Sequence, residues 1–115
     1  MKLSELVEKL NLQVRSGKSL LAREVTGGYA SDLLSDVIAN SRAGNVWVTL
    51  QLHKNIVAVA SLNELAGIVL VNSREPDPET IDKAEAESIV VMVSELPTFE
   101  LVGRMYALGV SGMGS

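Results

Sequence analysis

The sequence predicts a single α/β domain built on a mainly parallel sheet with crossover helices. Three observations carry this expectation. From Val46 onward, short β-branched apolar runs alternate with stretches of helical periodicity, the order that parallel strands joined by crossovers require. Hydrophobic residues make up 47% of the chain but aromatics only 3%, so the core must be Val, Leu, Ile and Ala, as in a sheet covered on both faces. The length, 115 residues, suits one domain.

The elements follow in order. Leu3, Leu6, Val7 and Leu10 recur at helical spacing with Ser4, Glu5, Glu8 and Lys9 between them, an amphipathic first helix. Leu12 to Val14 reads as a short strand before the Ser16-Gly17 turn. A second strand is expected over Leu20 to Val25, running on through Tyr29. Ala30, Leu33, Leu34, Val37 and Ile38 then form a helical stripe, with Ser31 as the expected N-cap and Asp32 at the positive end of the dipole. Val46 to Leu50 has strand composition. Ile56 to Ala60 alone passes for a buried strand, but Gln51 to Ala66 is long enough for a crossover helix, which Asn55 would cap. Gly67 to Val71 is a strand closed by Asn72-Ser73. Asp77-Pro78 opens the next helix, running to Ser88 with Ile81 and Ala84 inward. Ile89 to Val93 is the last strand. Thr98 caps a final helix carrying Leu101, Val102, Met105 and Leu108, which Gly109 ends. Residues 1–109 are thus expected to be the domain and residues 110–115 a disordered tail.

Composition excludes several function classes. Ten basic and fourteen acidic residues leave a net charge of −4, and the basic residues are scattered, so no nucleic-acid footprint forms. There is no cysteine, which removes thiolate catalysis, disulfides and Cys-ligated metal, and favours a cytoplasmic location. The N-terminus lacks a signal-peptide run. The apolar stretch from Val46 to Val71 is broken by Gln51, His53, Lys54 and Asn55, so no membrane span is expected. His53 is the only histidine, no serine has another obvious base, and Asp77 with Glu79 reads as helix-start chemistry; no catalytic, metal or cofactor site is expected.

Ligands of parallel sheets bind at the carboxyl ends of strands. The candidates there are Thr26, Gly27, Gly28, Tyr29 and Ser31 around the second strand, Gln51 and His53 after the third, and Ser73 after the fourth. The two glycines strip away side chains so that backbone N–H groups can approach a ligand, and the helix near Ser31 would offer its positive end. Gly27-Gly28 equally fits a bulge or a close approach between neighbouring elements.

At Arg23-Glu24-Val25-Thr26-Gly27-Gly28-Tyr29, followed by Ser31-Asp32-Leu33-Leu34-Ser35-Asp36, the sequence resembles the DRTGG domain family. Asn55-Ile56-Val57-Ala58-Val59-Ala60 and Thr98-Phe99-Glu100-Leu101-Val102-Gly103 agree, and the similarity spans residues 3 to 109. Of the naming pattern, Arg23, Thr26, Gly27 and Gly28 can be placed, whereas Ala22 or Glu24 stands where an Asp would be sought. The resemblance implies a fold like the N-terminal domain of HPr kinase/phosphorylase. It also implies a role like the modules beside phosphotransacetylase catalytic domains and beside CBS modules in certain pyrophosphatases, here in a free-standing chain. Such modules regulate or assemble, and the resemblance carries over no catalytic residue.

Two functional readings stand. The first is a non-catalytic regulatory module binding a small ligand, an adenine nucleotide or small anion, at Thr26-Gly27-Gly28. The second is an interaction module without a small ligand, working as a homodimer through an edge strand or an apolar helix face, or docking on a larger enzyme.

Overall fold

The structure, a computed structural model, describes residues 1–113. A five-stranded sheet of order β1-β5-β4-β3-β2 forms its middle layer. The strands are β1 (Gln13–Val14), β2 (Gly27–Ala30), β3 (Asn45–Thr49), β4 (Gly67–Leu70) and β5 (Val91–Val93). The last four are mutually parallel and only β1 runs antiparallel, on the free side of β5. The helices are α1 (Leu3–Leu10), α2 (Leu34–Asn40), α3 (Asn55–Leu62), α4 (Pro78–Ala86) and α5 (Thr98–Ala107). None is long and apolar enough to cross a membrane.

Because β2, β3, β4 and β5 advance one position at a time, crossovers of one hand put α2, α3 and α4 on one face. The strand alternation then divides the core in two. Trp47, Ile68, Leu70, Val91 and Val93 face Val37 of α2, Ile56, Val57 and Ala60 of α3, and Ala84 of α4. Val46, Val48, Val69, Val71, Val90 and Met92 face Leu3, Leu6 and Leu10 of α1 and Leu101 and Met105 of α5. Trp47 is fully buried, and its indole N–H donates to the Ser31 carbonyl at 2.8 Å, satisfying the one polar group that burial would otherwise strand. Ser16, also fully buried, ties the β1 side to β5: its hydroxyl donates to Ile89 O at 2.8 Å and accepts from Val91 N at 2.9 Å.

The predicted architecture is present, with corrections at element starts. Leu20 to Val25 is not a strand. Lys18–Leu20 forms a 3-10 turn behind Gly17 (φ +71), and the backbone beyond it pairs with the chain start, Leu3 N to Arg23 O, Ser4 N to Leu21 O and Val25 N to Met1 O. Helix α1 thereby takes the hydrogen bonds a sheet neighbour would have used. Ser31 does not cap α2. Its N–H still belongs to the ladder, donating to Val48 O, and the helix starts three residues later, at Leu34. Asn55 and Thr98 are first helical residues, preceded by Lys54 and Pro97 at the caps.

The tail also departs from expectation. Val110 is 7% exposed, its N–H donates to Met105 O, and the Ser111 carbonyl accepts from Gly28 N–H at 3.1 Å. Residues 110–113 are therefore packed along the β2 edge, because Val110 adds apolar burial and Ser111 satisfies a strand donor that an open edge leaves free. The rest of the expected tail, residues 114–115, lies outside the described residues.

Candidate functional site

The structure divides the candidate residues between the two ends of the sheet and its β2 edge. Thr26 and Gly27 stand at the amino end of β2, opposite to the carboxyl end where they were expected. Thr26 serves the turn before β3. Its N–H donates to Gly44 O, its hydroxyl donates to Ala43 O at 2.7 Å, and it accepts from Asn45 Nδ2 at 3.2 Å. Gly44 (φ +82) needs its bare α-carbon there, since a Cβ would lie 2.6 Å from the Thr26 methyl. Gly28 lies within β2, beside Val46 in the register, and faces α5. The helix start near Ser31 lies past the far end of the strand, so the dipole does not point at the glycines.

At the carboxyl ends, polar residues brace loops against one another. Asp32 Oδ1 accepts from Thr49 Oγ1 at 2.9 Å and from Leu50 N at 2.7 Å, and Gln51 Nε2 donates to Asp32 O at 3.0 Å. His53 Nδ1 meets Asp77 Oδ2 at 2.8 Å, so the Asp77 carboxylate is drawn to the histidine and does not cap α4 by its side chain. Ser73 is exposed, in left-handed backbone (φ +56), with its N–H on Ser94 O. No group of three or more His, Cys, Asp or Glu placed to hold a metal occurs among the described residues.

Tyr29 and Asp36 form the clearest electrostatic pair. The Tyr29 hydroxyl donates to Asp36 Oδ2 at 2.8 Å, and Asn40 Nδ2 donates to Asp36 Oδ1 at 2.9 Å. The hydrogen bond from Tyr29, then those from Ser31 and Asn40, hold the Asp36 carboxyl below its ordinary value. The same bond to Asp36 raises the Tyr29 phenol above its own. This network fastens β2 to α2 by its hydrogen bonds.

A mostly apolar concavity lies along the β2 edge, a groove of about 410 Å³. Gly28, Ala30 and Val48 make its floor, Val102, Met105 and Tyr106 one wall, and Val110 to Met113 the other. Gly28 keeps the floor low: a Cβ there would touch Val110 Cγ1 at 3.4 Å and Met105 Cε at 3.6 Å. Among the described residues, no Lys, Arg, Asp or Glu lines it. Two further hollows adjoin it, one over Thr26 and Gly27, the other sharing Gly112 and Met113 and bringing in Arg42. Of the expected site residues, the groove and its neighbours thus gather Thr26, Gly27, Gly28 and Tyr29. Ser31, Gln51, His53 and Ser73 lie elsewhere.

The residues of α5 and of 110–113 were missed as groove walls. The available signal was that α5 carries two apolar stripes: Leu101 and Met105 are buried, whereas Phe99, Val102 and Tyr106 are exposed. Val102 belongs to the outer stripe.

No protein-family model matches the sequence, and no curated protein does. Among solved structures, the chain is similar to the CBS and DRTGG domains of the regulatory region of Clostridium perfringens pyrophosphatase, complexed with its activator diadenosine tetraphosphate. The match has a TM-score of 0.70 at 11% identity, over 96% of this chain and 48% of that one. The present chain thus spans about half the length of that structure. The likeness is one of fold, in keeping with a DRTGG-like domain.

Proposed function

We propose that this chain is a non-catalytic, cytoplasmic regulatory module whose β2 edge groove takes a small ligand carrying a flat apolar moiety, such as an adenine nucleotide. One observation carries this reading. The groove has the size and the mostly apolar lining of small-molecule sites, with aromatic Tyr106 and the backbone of Gly28 as its orienting groups. A bare small anion fits it poorly, because no cation lines it and a desolvated charge would lack a partner. Arg42, in the hollow beyond Met113, is the cation placed to meet a phosphate extending from a base seated in the groove. The pyrophosphatase regulatory region, similar in fold, supports a regulatory role by analogy alone.

A thermal-melt series tests this with adenosine, adenine nucleotides, diadenosine tetraphosphate and inorganic phosphate. A ligand at about 100 times its dissociation constant stabilises the fold by roughly 2.7 kcal/mol. The expected pattern is stabilisation by adenosine and its nucleotides but not by phosphate, lost in Gly28→Val, with the nucleotide advantage over adenosine lost in Arg42→Glu. Equal melts across the panel would reject the reading.

The exposed apolar face of α5 favours a second reading, an assembly module that docks on a further protein chain through that helix. Edge pairing through β2 is the weaker route to assembly, because Ser111 already occupies the outward N–H of Gly28.

A further inference from the structure

Helix α5 spends its inner stripe, Leu101 and Met105, on the core and leaves an outer stripe uncovered. Phe99 is 93% exposed, Tyr106 67% and Val102 36%. Between them sits Gly103, where an added Cβ would meet nothing within 4 Å among the described residues. Glycine is the least favourable ordinary residue in a helix interior, and nothing inside this molecule requires it at position 103. A bare α-carbon at the centre of an apolar helix face is what a second helix needs in order to approach closely, and Ala107, one turn on, is also small and exposed.

The charges beside this stripe identify the second helix. Glu100 and Arg104 lie one turn apart on one flank, 4.0 Å from each other and both more than half exposed. They are the only charged residues of α5, so its outer face is neutral although the chain carries −4. If a copy of α5 runs antiparallel across Gly103, its Arg104 comes opposite Glu100 and its Glu100 opposite Arg104, while Phe99 of each helix packs near Tyr106 and Ala107 of the other. The sequence of the face is therefore complementary to itself under a two-fold rotation, the condition an isologous interface must meet.

Resting on the assembly reading above and not on the ligand, we infer that the partner of this face is a second copy of the same chain. The pair is held by antiparallel packing of α5 on α5 about Gly103, with crossed Glu100–Arg104 ion pairs. Val102 and Tyr106 also border the β2 groove, so the second copy would close the groove's open side.

Sedimentation equilibrium of the whole chain, with folding of every variant checked by circular dichroism, tests the inference. Wild type is expected to be a dimer in the micromolar range and Phe99→Glu a monomer. Glu100→Arg and Arg104→Glu are each expected to weaken the dimer at least tenfold, because each sets like charges opposite one another. An equimolar mixture of these two variants should dimerise as wild type does, since each restores the other's complement. The chain has no cysteine, so Gly103→Cys should cross-link to a disulfide dimer under mild oxidation in native buffer and not in denaturant. A wild type that stays monomeric overturns the inference while leaving the assembly reading open to a different protein captured through Phe99. A dimer indifferent to Phe99→Glu overturns both. A dimer that Phe99→Glu breaks but the charge-variant mixture fails to restore overturns the antiparallel pairing.

Discussion

Two glycines that face the same side of the sheet should respond to a single methyl group with opposite signs. At Gly28 the backbone is ordinary extended strand, and a Cβ would meet Val110 Cγ1 at 3.4 Å and Met105 Cε at 3.6 Å, normal contact distances. Gly28→Ala therefore adds a half-buried methyl and removes unfolded-state freedom, a combined gain of about 0.5–1 kcal/mol. At Gly67 a Cβ would lie 2.8 Å from Met92 Cε and 3.2 Å from Val90 O. The Val90 carbonyl is held by Ile68 N at 2.8 Å, and the Met92 methyl, though at the end of a flexible side chain, is fully buried and can move aside only by repacking its neighbours. Gly67→Ala is expected to cost about 1–3 kcal/mol as overpacking. Roughly 2.1 cal/mol/K per residue of unfolding entropy over 115 residues makes 1 kcal/mol worth about 4 °C in Tm. Differential scanning calorimetry at one fixed protein concentration should then show Gly28→Ala melting about 2–4 °C above wild type and Gly67→Ala about 4–12 °C below it. If both variants shift the same way, or if Gly67→Ala melts with wild type, the packing assigned to these strands is wrong.

Further expectations follow from the polar contacts. Ser16→Ala should lose about 1–3 kcal/mol in urea denaturation, because it leaves the Ile89 carbonyl and Val91 N–H short of a partner in the core. Arg15 grips Glu75 through Nε at 2.6 Å and Nη2 at 2.8 Å, and this bond holds the Glu75 carboxyl below its ordinary value. Since both side chains reach solvent, Glu75→Gln should cost no more than about 1 kcal/mol and cost less in high salt. The lowered Asp36 carboxyl contributes stability that is present above the ordinary carboxylate range and is lost as pH falls through its depressed value. Asp36→Asn should accordingly flatten the acid limb of the stability–pH curve, and an unchanged limb would count against the Tyr29–Asp36 bond.

The layer order was legible because each crossover advertises itself locally. Asp77-Pro78 fixes the start of α4, and the β-branched runs at Val46 and Gly67 can bury both faces only between helices. The passage from Leu20 to Tyr29 was not legible. Its apolar run has strand composition, but whether it pairs with the sheet or with residues 1–4 depends on where α1 docks, a contact distant in sequence. The groove was half legible for the same reason. Gly27-Gly28 signalled a close approach, yet the elements that approach are α5 and residues 110–113, far along the chain. Ser31, Gln51 and His53 looked like ligand groups because loop braces and binding sites draw on the same polar side chains.

The burial of Trp47 has a practical consequence. It is the only tryptophan, on the α2–α4 side of the sheet, with its indole nitrogen bonded to Ser31 at the turn out of β2. Its fluorescence is therefore a built-in, label-free signal of the junction between β2, β3 and α2. The groove opens on the opposite face, so an occupant there would change this emission only by moving β2 itself. Quenching by a seated ligand and displacement of the strand become separable in one spectrum, with Tyr106 beside the groove reporting the first and the indole the second.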